Sequence, residues 1–116
     1  MTTKQERPTD YVELMLATAI QARSYIEGLS KEDFLADQKT QDAVILKLLV
    51  IGELAAKLLD EYADFVTNCP TIPWHQMKGM RNRMAHGYFE RDMDVVWDTV
   101  QTALPELEVN LRSISF

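Results

Sequence analysis

Val44-Ile45-Leu46-Lys47-Leu48-Leu49-Val50-Ile51-Gly52-Glu53-Leu54-Ala55-Ala56-Lys57-Leu58-Leu59-Asp60-Glu61-Tyr62 is the stretch on which the fold turns. Val44, Leu48, Ile51, Ala55, Leu58 and Tyr62 recur every three or four residues, the spacing of one helix face. A second stripe, Ile45, Leu49, Gly52, Ala56 and Leu59, runs beside the first. So wide an apolar surface predicts a central helix that meets neighbours on two sides, with a second copy of the chain as one candidate for them. Gly52 weakens such a helix unless another backbone approaches closely, so a tight contact is expected there.

Upstream, Val12, Met15, Ala19, Ala22, Ile26 and Leu29 keep the same period and predict a first helix. Asp10 and Glu13 read as its capping pair, with Gly28 near its exit. Ser30 and Asp33 open a short second helix reaching about Ala36. Downstream, Pro70-Thr71-Ile72-Pro73 is a break, because proline lacks the backbone donor and biases its predecessor away from helical dihedrals. A fourth helix runs from about Pro73 to His86, with Gly87 as its stop. A fifth begins near Asp92 or Asp94 and carries Trp97, Val100, Leu104, Leu107, Leu111 and Ile114 on one face. Pro105 should kink or divide it.

The expected fold is therefore all-α, an antiparallel bundle of four to five helices in one domain over residues 1–116. Bulk properties agree. Hydrophobic content of 47% beside 26% charged residues excludes a disordered chain. Four Gly and four Pro are too few for the many turns of a β-sandwich or barrel. Residues 1–8 hold no apolar run, and Lys47 and Glu53 interrupt the most apolar stretch, so neither a secretory signal nor a membrane span is expected. The single cysteine, Cys69, excludes an internal disulfide and fits a reducing, cytoplasmic setting, with an inert half-buried thiol as the simplest role.

A net charge of −6 argues against indiscriminate nucleic-acid binding. The average conceals an asymmetry: residues 75–91 carry +3 by formal charge, leaving −9 for the rest. A local anion site fits that distribution.

Several chemistries are missing from the pattern: no phosphate loop ending in Lys-Ser/Thr, no HExxH, no CxxC and no serine elbow. His75, His86 and Cys69 are too few and too irregularly spaced for a zinc site, so no metal is expected. Glu32-Asp33 and Asp60-Glu61 read as solvated helix faces. What remains is Arg81-Asn82-Arg83-Met84-Ala85-His86-Gly87-Tyr88. Five residues along a helix turn by about 140° and rise about 7.5 Å, so Arg81 and His86 do not share a face, whereas Asn82 and His86 lie one turn apart. Their convergence on one ligand requires the reach of Arg81, fraying at Gly87, or a partner chain. On spacing alone the simpler reading is that Arg81, Arg83 and His86 answer the negative end of the helix dipole and Tyr88 packs as an aromatic.

The motif shifts that balance. Arg81, Asn82, His86 and Tyr88, in the order Arg-Asn, three residues, His, one residue, Tyr, resemble the signature of the HepT toxins of the HEPN superfamily. The segment Ile51-Gly52-Glu53-Leu54-Ala55-Ala56-Lys57 is similar to that family's central helix, and Ile72-Pro73-Trp74 to its entry into the motif helix. The helix containing Trp97 and the pair Leu104-Pro105 also match, so the resemblance spans nearly the whole chain.

The resemblance implies a HEPN-like helical homodimer with metal-independent endoribonuclease activity and no cofactor. It further implies the toxin of a type VII toxin–antitoxin pair, silenced when an MntA-type nucleotidyltransferase antitoxin adenylylates Tyr88, and leaves assembly beyond the dimer open. Arg81 would meet the RNA phosphate, Asn82 would orient His86 or the ribose, and His86 would act as acid and base in two copies across a two-fold axis. Lys78 and Arg83 are secondary positions for holding the RNA strand, with solvated charge as the plainer reading. Glu53 is expected to make a buried or interfacial hydrogen bond and take no catalytic part. The alternative is a non-catalytic helical partner of a nucleotidyltransferase or nucleotide.

Overall fold

Every described element is helical in the computed structural model, which describes residues 7–86 and 92–114, with His86 given by its backbone alone. Helix α1 (Pro8–Tyr25) starts one turn earlier than Asp10 suggested. Pro8 stands at a first-turn position, where its missing N–H leaves no helical bond unmade. Asp10 is the third residue of the helix, and its carboxylate accepts the backbone N–H of Arg7 at 2.9 Å. The Asp10–Glu13 pair is thus not the cap, and Glu13 is simply exposed. The chain leaves α1 through Gly28, whose φ of +81° is the left-handed conformation that favours glycine.

Ser30 caps α2 (Lys31–Leu35) as expected: its hydroxyl accepts the Asp33 N–H at 3.1 Å, and the Asp33 carboxylate accepts the Ser30 N–H at 3.2 Å. Asp37 caps the long helix α3 (Gln38–Glu61), taking the Thr40 hydroxyl at 2.6 Å and the Thr40 N–H at 3.1 Å. Those two donors hold the Asp37 carboxyl below its ordinary value. A five-residue helix, α4 (Ala63–Thr67), follows and was not expected. It is too short to print a period, yet it sets Phe65 and Val66 against the core.

Beyond the proline break come α5 (Trp74–His86), α6 (Met93–Asp98), a π-helical turn (Thr99–Ala103) and α7 (Leu104–Arg112). Pro105 divides the last helical run by this wide turn, in which the Leu104 N–H reaches back to the Thr99 carbonyl. The proline ring would collide with the carbonyl four residues earlier, and widening the turn relieves that conflict. The apolar face survives, with Val100, Leu104, Leu107 and Leu111 all buried.

Both stripes of α3 are used within one chain. Its flanks pack against α1 and α5, while α7 packs on α1. The second neighbour inferred from the wide apolar face is therefore α5, and that face does not by itself require a second copy. Among the described residues no helix is long and apolar enough to cross a membrane.

A charged pair reaches this core. Glu108 stands on the buried side of α7, 8% exposed, and takes a hydrogen bond from the guanidinium of Arg23 on α1, which is 44% exposed. The asymmetry decides which partner matters. Arg23→Ala should lower stability by about 3 kcal/mol, because a buried carboxylate is left unpaired. Glu108→Gln should cost about 1 kcal/mol or less, since the released guanidinium already reaches water. Urea denaturation of both variants checks the order, and equal losses would contradict it.

Candidate active site

Helix α5 gains its place from its first residue. Trp74 is buried, its indole N–H donates to the Cys69 carbonyl at 3.0 Å, and its ring meets Phe65 edge-on at 6.2 Å. Burial of Cys69 pushes its thiol above the usual range, so this residue serves as packing, in keeping with the inert role expected of it. From Trp74 the inward side of α5 runs through the half-buried Met77 and Met80 to the buried Met84.

Arg81 stands on that same inward side, an unusual place for a cation. The reason is Gly52. A Cβ at position 52 would lie 2.3 Å from the Arg81 Cβ and 2.7 Å from the Met77 carbonyl oxygen, distances no real side chain tolerates. The missing side chain is a notch in α3 into which the stem of Arg81 fits. The tight contact expected at Gly52 is thus present, and what it admits is the motif arginine.

The head of Arg81 is fixed from two sides. Its Nη1 donates to Glu53 Oε2 at 2.7 Å, and its Nε donates to Asn82 Oδ1 at 2.9 Å. Arg81 is 24% exposed and Glu53 67% exposed. Glu53 therefore does make the hydrogen bond expected of it, and within this chain it does so at the surface, with its side chain exposed and not buried. The pairing with Arg81 was not foreseen; adjacency of Glu53 to Gly52, on the face that a close-packed neighbour must cover, was the available signal.

Beside this pair, Lys78 lies half-buried along a surface groove that Lys57, Asp60 and Glu61 also line. Asn82, Arg83 and His75 are exposed. His86 closes α5 as its last residue, one turn after Asn82. Gly87, expected as the stop, and Tyr88, expected as the modified residue, lie outside the described residues, as do the Glu90 and Arg91 charges of the basic stretch. The structure thus brings together Arg81, Asn82 and Lys78 and adds Glu53, while Arg83 points to no partner among the described contacts. Among the described residues no three of His, Cys, Asp and Glu are grouped as metal ligands would be.

The chain matches the family described as Ribonuclease HepT-like over residues 15–114, which takes in α1 beyond its first two turns and everything to the end of α7. The chain belongs to this family. The HepT-like chain is 37% identical over 99 residues to the protein named "Probable ribonuclease HepT" of Thermococcus cleftensis, covering 85% of itself and 87% of that relative. It is 40% identical over 94 residues to a Methanocaldococcus jannaschii protein whose name is a putative RNase, covering 78% of itself and 75% of the relative. A similarly named protein of Caldanaerobacter subterraneus is 30% identical over 107 residues, 92% of this chain and 93% of the other. No solved structure matches the HepT-like chain. Family membership accords with the HEPN-like all-α fold drawn above, and the match runs through the Gly52 notch and the whole of α5.

Proposed function

We propose that the chain is a metal-independent endoribonuclease acting as the toxin of a toxin–antitoxin pair. The observation that carries this reading is the arginine held at the α3–α5 crossing with its guanidinium at the surface, beside the exit of α5 that ends in His86. A hydrogen-bonded, partly shielded guanidinium is suited to the two oxygens of a phosphodiester, whose charge grows in the transition state.

In this reading an imidazole takes the proton of a ribose 2′-hydroxyl as its oxygen attacks the adjacent phosphorus. The bond from phosphorus to the 5′-oxygen breaks, a second imidazole protonates that oxygen, and the products are a cyclic phosphate and a 5′-hydroxyl. Two His86 residues supplied by a homodimer serve as base and acid, since imidazole exists in both forms near neutral pH. Asn82 orients His86 or the ribose, and Lys78 and Arg83 hold neighbouring phosphates.

Control comes from Tyr88 and a nucleotidyltransferase antitoxin of the MntA type. Attack of the Tyr88 oxygen on the α-phosphorus of ATP releases pyrophosphate and leaves AMP on the toxin, adding negative charge and bulk where RNA must enter. The test has two arms. Purified protein should cut single-stranded RNA in the presence of a metal chelator and leave 5′-hydroxyl ends. Incubation with ATP and the antitoxin should raise its mass by whole AMP units, and Tyr88→Phe should abolish the gain. Absence of chelator-resistant cleavage removes the nuclease reading; a mass gain retained by Tyr88→Phe moves the modification elsewhere.

A further inference from the structure

A guanidinium grips a phosphate in bidentate fashion through one of two planar edges, the Nη1–Nη2 edge or the Nε–Nη2 edge. In Arg81 each of those edges already has one nitrogen engaged. Glu53 takes Nη1 and Asn82 takes Nε. The Gly52 notch seats the Cβ and Cγ of Arg81, which limits how far its stem can swing to offer a fresh edge. A phosphodiester that binds both oxygens to this arginine therefore shares a nitrogen with one of the two existing partners and is brought up against it.

The two are not equal. Asn82 is neutral and adjoins Arg81 in the chain. Glu53 carries a charge of the same sign as the phosphate, is 67% exposed, and can turn into water on a flexible stem. Coulomb repulsion between carboxylate and phosphate selects Glu53 as the group that leaves.

We infer that Glu53 is the resting counter-anion of Arg81, a positioning residue that an RNA phosphate displaces from the guanidinium on binding. The inference rests on the ribonuclease reading for the identity of the ligand, and it concerns binding only. It gives the site a graded entrance. Free anions that offer a single contact gain little by exchanging for a carboxylate already in place, whereas a polyanion bringing further phosphates to Lys78 and Lys57 gains enough to complete the exchange.

A distinctive signature follows. Binding to a phosphate polyanion releases condensed counter-ions in proportion to the cations that replace them. Arg81 in its resting state is already neutralised from within the protein, so its phosphate contact contributes little to that release. Removing the Glu53 charge restores the missing share.

The experiment measures binding of a 2′-O-methyl oligoribonucleotide, which lacks the attacking hydroxyl, so that cleavage plays no part in the readout. Glu53→Gln should bind about three- to fivefold more tightly than wild type at low salt, the scale of one exposed ion pair. Its plot of log affinity against log salt should steepen by about 0.7, one single-stranded phosphate contact. Both changes should vanish when Arg81→Ala is also present, which separates an effect through the guanidinium from the general gain of losing one negative charge. Thermal midpoints of Glu53→Gln and wild type should agree, because the residue is exposed. Equal affinity and slope for Glu53→Gln and wild type, or a gain that persists with Arg81→Ala, overturns the inference. Neither outcome bears on the nuclease reading, which the chelator-resistant cleavage assay decides independently.

Discussion

His86→Ala should reduce RNA cleavage by about a hundredfold to ten-thousandfold, the range that a positioned acid or base contributes, with little change in stability or in RNA binding. The separation of these effects is what makes the variant informative. His86 is the terminal residue of α5, so its loss removes no interior helical turn. The phosphate contact assigned to Arg81 is untouched. Affinity for a 2′-O-methyl oligoribonucleotide should therefore stay within about twofold while turnover collapses, a pattern that marks an interaction made in the transition state. If base and acid are the same residue type in two subunits, the wild-type rate should pass through a maximum near neutral pH and fall on both sides, as one imidazole becomes protonated or the other loses its proton. Mixing wild-type and His86→Ala subunits adds a further check: heterodimers hold one imidazole where two are required, so activity should fall faster than the wild-type fraction. A His86→Ala protein that cuts RNA at the wild-type rate would end the assignment.

Much of this fold can be read from periodicity, because burial leaves a repeat of three and four wherever a helix has one dominant face. Met15, Ala19 and Ala22 on α1, Leu48, Ile51, Ala55 and Leu58 on α3, and Val100, Leu104 and Leu107 near the C-terminus all proved buried where the spacing placed them. The failures have physical causes of their own. Helix α4 has too few residues for one period, and the cap of α1 belongs to a residue type, Arg7, that rarely serves as one. Glu108 sits among Leu104, Leu107 and Leu111 as an acid on a core face, where only the three-dimensional arrival of Arg23 satisfies it. A one-dimensional pattern can flag such an acid, but it cannot supply the partner. The candidate site divides in the same way. Arg81, Asn82 and Lys78 were legible from the motif and local charge, while the Glu53–Arg81 pair depends on the register between α3 and α5, which no stretch of either helix encodes alone.

That register rests on Gly52, and Gly52→Ala should be the most disruptive change of a single methyl group. Alanine favours the helix over glycine by about 1 kcal/mol in isolation. Against this, the added Cβ meets the Arg81 Cβ at 2.3 Å and the Met77 carbonyl at 2.7 Å. Neither is the far end of a flexible side chain, so relief requires α5 to move away from α3. Overpacking of this kind costs about 1–3 kcal/mol, which leaves a net loss of up to about 2 kcal/mol after the gain in helix propensity. The effect on activity should be larger. Helix α5 packs mainly on α3, so its displacement carries Arg81 away from Glu53 and shifts the guanidinium relative to any bound phosphate. A misplacement of about 1 Å costs about a hundredfold in rate when catalysis depends on alignment. Gly79→Ala is the control, since a Cβ there has nothing within 4 Å and lies in α5 itself, the helix that Gly52→Ala would displace. It should leave cleavage intact and raise stability by up to about 1 kcal/mol. If the notch holds the motif helix in place, the thermal melts of the two variants shift in opposite directions and only Gly52→Ala loses cleavage; a Gly52→Ala protein that matches Gly79→Ala in both would show that α5 finds its position without it.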